Sequence, residues 1–140
     1  MDWDDADAGC KSQTALLGSI ESQCEQNFVF ELSKKAVTWI GGNDKTVEGT
    51  FVWPNGVEFY KSSAVVSGIF TNIWTTGFNA VSQNIQDCVS LRDTTGEWDD
   101  VVCTKTQNNY ICEKAAYVGA SAYVVPTMSN SGEFILKKVI

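Results

Sequence analysis

Thiols and carboxylates are the chemistry this chain has to offer. Cys10, Cys24, Cys88, Cys103 and Cys112 form no Cys-x-x-Cys pair and no tight cluster, the arrangements that bind metal through thiolates or run dithiol exchange. Five cysteines fit an oxidising compartment, where disulfides persist, so the expected location is secreted or extracellular. No histidine occurs anywhere in the 140 residues. That removes Ser-His-Asp and Cys-His machinery, the commonest general base and any His-containing zinc site, and an enzyme is not expected. Ten Lys and Arg stand against seventeen Asp and Glu, a net charge of −7. Such a surface disfavours nucleic acid and anionic membranes and leaves calcium and cationic partners open.

The elements that must position these groups fit in one domain, long enough to bury a core. Trp3, Ala6 and Cys10 share a helical face, with Asp4 and Asp5 in a first turn where the helix dipole favours negative charge. Ser22-Gln23-Cys24-Glu25 reads as a capping box opening a second helix whose apolar face carries Phe28, Val29, Leu32 and Ala36. Val37 to Ile40, ended by Gly41-Gly42, is β-branched and aromatic, as is Thr50 to Trp53 before the Pro54-Asn55-Gly56 turn. Cys88 to Leu91 and Asn109 to Glu113 read as two further strands, with Glu97-Trp98-Asp99-Asp100 between them. Residues 57–86 show no sustained period and read as a long loop. Beyond Lys114, small and polar residues surround two short strands, at 122–125 and 133–140. No apolar run approaches the roughly 20 residues that span a bilayer, so membrane insertion is not expected. Met1 to Asp5 is acidic where a secretory leader would be basic and then apolar, which implies a removed leader or a truncated start.

Taken in order, these pieces resemble a C-type lectin-like domain: Trp3-x2-Ala6-x3-Cys10, Leu17-x-Ser19-Ile20-x-Ser22, Trp39-Ile40-Gly41-Gly42-Asn43-Asp44, Glu48-Gly49-x-Phe51-x-Trp53-x2-Gly56, Trp74-x2-Gly77, Asp87-Cys88-Val89, Gly96-x-Trp98-Asp99-Asp100-x2-Cys103 and Tyr110-Ile111-Cys112-Glu113. The resemblance implies an α+β fold over residues 1–114, two helices flanking small antiparallel sheets with a long loop region, followed by a tail over 115–140. It also implies disulfides Cys10–Cys112 and Cys88–Cys103. Their loops of about 100 and 15 residues correspond to about 4.7 and 3 kcal/mol in the loop-entropy account. Cys24 is left free, either as a small hydrophobe on the core face of the second helix or as the link of a disulfide dimer.

In calcium-dependent members of the family, a Glu-Pro-Asn or Gln-Pro-Asp triplet, an acid before the Asp-Cys pair and an Asn-Asp pair after the sheet tryptophan hold one ion and the sugar. This chain has Phe78-Asn79-Ala80, Gln86 and Asp99-Asp100 at those positions. Carboxylates survive at Asp99 and Asp100 alone, with amides at Asn79 and Gln86, so the usual sugar-binding calcium is expected to be weak or absent. An auxiliary site matches better, through Asp44, Glu48 and Asp87. Its alternative is structural, with Asp44 organising a turn and Asp87 accepting backbone bonds. Phe78, Asn79, Gln86, Asp99 and Asp100 are the candidate ligand-binding residues. Loop aromatics Phe59, Tyr60, Phe70 and Phe78 form either an exposed patch for a protein or sugar or the filling of the loop.

The family's opening strand is missing, so a sheet edge is exposed. A tail segment such as 133–140 covers it, or a partner chain does, giving a second route to a dimer. Three functions follow: a recognition domain binding a protein or glycan without the usual calcium site, a calcium-dependent carbohydrate lectin with an unorthodox site, or a structural or defensive surface binder.

Overall fold

The computed structural model describes residues 1–61, 64–66, 85–116, 124–128 and 134–139. Helix α1, Trp3–Ser12, starts where the Asp2 carboxylate accepts the Asp5 backbone N–H and turns Trp3, Ala6 and Cys10 into the core. Helix α2, Gln23–Leu32, starts at Ser22, whose hydroxyl accepts the Glu25 N–H, while the Glu25 carboxylate accepts the N–H of Glu21. Its buried residues are Gln26 and Val29, and Phe28 and Leu32 pack only partly against the core. That rotation corrects the expected helix face. Cys24 precedes Gln26 by two residues, about 200° round a helix, and is therefore exposed and unbonded instead of buried. Among the described residues no helix is long and apolar enough to cross a membrane.

The strands are β1 (Leu16–Leu17), β2 (Thr38–Asn43), β3 (Thr50–Val52), β4 (Glu58–Lys61), β5 (Ala64–Val65), β6 (Cys88–Leu91), β7 (Trp98–Val101), β8 (Asn109–Ala116), β9 (Val124–Met128) and β10 (Phe134–Val139). They run in the order β5-β4-β3-β2-β8-β10-β9, with β1 on β8, β6 on β2 and β7 on β6. Most pairings are antiparallel, while β2 and β10 each lie parallel to β8. Strands β4 and β5 fall where the sequence reads as loop, and β7 forms on residues read as neither helix nor strand, because these residues lack clean alternation and gain strand geometry from their neighbours. Likewise β2 runs on through Gly41-Gly42 to Asn43. The reason is close packing: a Cβ on Gly41 would lie 2.5 Å from Pro54 Cδ and 2.8 Å from the Leu17 carbonyl oxygen. Only glycine lets these backbones approach that far.

Among the described residues, two apolar clusters fill the interior. In one, Trp53 stacks on Phe59 with centroids 4.0 Å apart and meets Trp98 edge-on at 5.4 Å. Phe59 is thus 5% exposed, and Tyr60 packs half-buried on the same cluster. Both belong to the core and not to an exposed loop patch. Phe70 and Phe78 lie outside the described residues. In the other cluster, Cys10–Cys112 pins α1 to β8, and Cys88–Cys103 ties β6 to the segment after β7.

Candidate metal centre

Antiparallel pairing of β2 with β6 sets Asn43 opposite Cys88. The next residue outward on each strand is an aspartate, and the Asp44 N–H donates to the Asp87 carbonyl at 3.0 Å. After Asp44 the chain folds back on itself. Gly49, with φ +80°, donates its N–H to Asp44 Oδ2 at 2.8 Å, closing a loop that carries Glu48. One oxygen from each of Asp44, Glu48 and Asp87 falls within 4.8 Å of the others. Asp44 is 3% exposed, Asp87 half-buried and Glu48 exposed, so the acids form a wall from the interior to the surface.

Electrostatics leave this cluster unbalanced. Burial pushes the Asp44 carboxyl up to about 6, against the Gly49 hydrogen bond and with help from the charges of Glu48 and Asp87. Its Oδ1 and that of Asp87 are buried without a hydrogen-bond partner. Unsatisfied buried carboxylate oxygens are costly. Three converging oxygen donors with two lone-pair sites unspent are suited to a hard cation such as calcium, and water or other oxygens would complete its six to eight ligands.

Asp99 and Asp100, on β7, are neighbours on a strand and point to opposite faces. Asp99 pairs with Arg92, Nη2 to Oδ2 3.0 Å, across the hairpin that joins β6 to β7. Asp100 is buried, and its carboxyl is also pushed up to about 6, first by burial and then by the charges of Asp99 and Glu48. It therefore feels the acidic cluster without supplying one of the three converging oxygens. Gln86 is half-buried beside Asp87. Phe78 and Asn79 lie outside the described residues. Arg92 is the residue that sequence reasoning missed. Its relation to Asp99 depends on the register Leu91 opposite Trp98, which the hairpin signals between them could have suggested.

The family model described as "Lectin C-type domain" matches residues 1–114. The low affinity immunoglobulin epsilon Fc receptor of Mus musculus is 32% identical over 120 residues, covering 86% of this chain and 33% of the receptor. Lectin BRA-3 of Megabalanus rosa is 35% identical over 115 residues, covering 79% of this chain and 64% of that lectin. This chain therefore spans a third of the first relative and less than two thirds of the second. Among solved structures, the C-type lectin CEL-I from Cucumaria echinata superposes with a TM-score of 0.60 at 27% identity, over 76% of this chain and 79% of CEL-I.

Proposed function

The chain belongs to the C-type lectin domain family, and from that membership we propose an extracellular recognition domain that holds calcium at Asp44, Glu48 and Asp87 and lacks the usual sugar-binding calcium site. The observation that carries this reading is the pair of buried, unpartnered oxygens, Asp44 Oδ1 and Asp87 Oδ1, within the one cluster of converging acids found among the described residues. When bound, calcium would neutralise most of the charge there and fasten the loop after β2 to the start of β6. The role is to order the face from which the segment before Gln86 emerges, not to coordinate a ligand.

Against the usual sugar site, Asp99 is engaged by Arg92, and Gln86 brings an amide where a carboxylate is needed. Ligand binding then falls to Phe78, Asn79, Gln86, Asp99 and Asp100 as a contact surface. One relative is named a lectin and the other an immunoglobulin receptor, so glycan and protein ligands both fit the family, and the weak calcium-site chemistry favours a ligand gripped by surface contact. Disulfides at Cys10–Cys112 and Cys88–Cys103 support secretion. The recognition unit is residues 1–114, with 115–140 as a tail on its edge. It is a binding module on this reading, in keeping with relatives that are named as a lectin and a receptor.

Calorimetric titration of calcium into the full chain tests this. Binding lost in Asp44→Asn and Asp87→Asn and kept in Asp99→Asn is the expected result. Binding lost in Asp99→Asn, together with calcium-dependent retention on a sugar column, would overturn it.

A further inference from the structure

A second concave site lies away from the acids and shares no residue with them. It is a groove of about 620 Å³ between β1, the Pro54-Asn55 turn and the middle of β8. Ala15, Leu16, Leu17 and Pro54 give it an apolar wall, and Leu16 is 39% exposed although the chain around it is strand. The volume falls in the range of small-molecule sites.

Its charged lining is asymmetric. Lys11 contributes to the wall, and its Nζ lies 2.6 Å from Asp7 on the same helix. Glu113 turns its Oε2 to the Ser19 N–H at 3.0 Å and the Ser19 hydroxyl at 2.6 Å. Lys114 is different. Half-buried, it donates to the Gln13 carbonyl at 3.1 Å, and no carboxylate among the described residues lies within ion-pair reach of it. In a chain with seventeen acids and a charge of −7, a half-buried lysine without an anion among the described residues is an exception. With Lys11 balanced by Asp7, Lys114 is the groove cation that, among the described residues, is left for a ligand to neutralise.

We propose that this groove binds a single-chain amphipathic carboxylate of the fatty-acid type, its alkyl chain along Leu16, Leu17 and Pro54 and its carboxylate on Lys114. The charge selects a monoanion, and the apolar wall selects a linear chain. A sugar, which is polar around its whole rim, would leave that wall uncovered.

The test is titration of octanoate, decanoate and dodecanoate, below their micelle concentrations, into the full chain followed by calorimetry. Saturable binding of one ligand per chain should tighten by two- to about fourfold per added methylene, fourfold being the limit for complete burial. Lys114→Met keeps the apolar stem and should weaken decanoate about tenfold or more while leaving 1-decanol unchanged. Leu16→Ser, at an exposed position, should weaken both, and circular dichroism checks that both variants fold. No saturation up to about 1 mM, equal binding of decyltrimethylammonium, or unchanged decanoate binding in Lys114→Met would each overturn the proposal. So would capture of a peptide ending in a free leucine carboxylate when decanoate fails, since the occupant would then be a chain terminus.

Discussion

The backbone N–H of Asp44 donates to the carbonyl of Asp87 at 3.0 Å, and the same two residues each bury a carboxylate oxygen with nothing bonded to it. The hydrogen bond fixes the separation of the two acids, and the unspent oxygens leave them repelling each other. A cation at this point converts that repulsion into attraction. Calcium at a hundredfold excess over its Kd should then stabilise the fold by about 2.7 kcal/mol, or roughly 8–10 °C in Tm at this chain length. Differential scanning calorimetry with calcium and with chelator reads the shift. Asp44→Asn should abolish it while leaving the chelated protein no less stable, because the variant removes a buried charge.

Protons compete for the same oxygens. Asp44 and Asp100 hold their protons up to about pH 6 in the fold, whereas an unfolded aspartate releases its proton near 3.8. Between those values the folded state carries more protons, so these two groups make the calcium-free fold progressively less stable as pH rises from about 4 to about 6, with no further change above. Urea denaturation of the chelated protein, compared with Asp44→Asn/Asp100→Asn over this range, should show a stability difference that grows in the variant's favour. Calcium affinity should rise through the same window and level off near pH 7. A pH-independent difference would contradict the burial argument.

Much of this site could be read without coordinates, and the reason is local. Asp44 and Glu48 lie in one loop and Asp87 abuts a disulfide cysteine, so short motifs carry them. Cys24 reads as buried because it shares a helix face with Phe28 and Leu32, whereas the core side is set by Gln26 and Val29. Gln26 itself reads as a surface residue, since nothing in its neighbours announces that a carboxamide will be buried against Trp98 and Gly96. Phe59 likewise reads as a loop aromatic, whereas strand β4 sets it flat on Trp53. The pairing of Arg92 with Asp99 depends on hairpin register, which a one-residue slip would reverse.

Gln26 bridges helix to sheet. Its Oε1 accepts the Trp98 indole N–H at 2.9 Å, and its Nε2 donates to the Gly96 carbonyl at 2.6 Å. Gln26→Leu keeps the bulk and leaves both groups of the partner elements buried and unpaired. A loss of about 2–4 kcal/mol is expected, read as a lower urea midpoint at unchanged m-value.

Lys34 and Lys35 sit at φ +53° and +55°, left-handed backbone at two consecutive non-glycine residues of the turn between α2 and β2. Each pays about 1–2 kcal/mol for the crowding of its Cβ. Lys35→Gly should recover about 1 kcal/mol, part of the relief being offset by the greater entropy of an unfolded glycine. A variant less stable than the parent would mean that the Lys35 side chain holds the turn in place.

The parallel pairing of β10 with β8 makes the last prediction. From Phe134 opposite Ile111 to Val139 opposite Ala116, β10 occupies the side of β8 away from β1 and β2, and β9 covers β10 in turn. Residues Ile111, Cys112 and Glu113 of β8 hold the disulfide to α1 and the hydrogen bonds to Ser19, so their strand cannot move away to hide an uncovered edge. Deleting 115–140 leaves that edge's N–H and C=O groups in solvent and open to another copy. A loss of about 2 kcal/mol would lower Tm by about 6–8 °C, and light scattering should show concentration-dependent association in the shortened chain. Calcium binding should survive, because Asp44, Glu48 and Asp87 sit in the loop after β2 and next to the start of β6, and neither β2 nor β6 pairs with the tail strands. An unchanged melt and a monodisperse monomer would mean that β8 needs no cover.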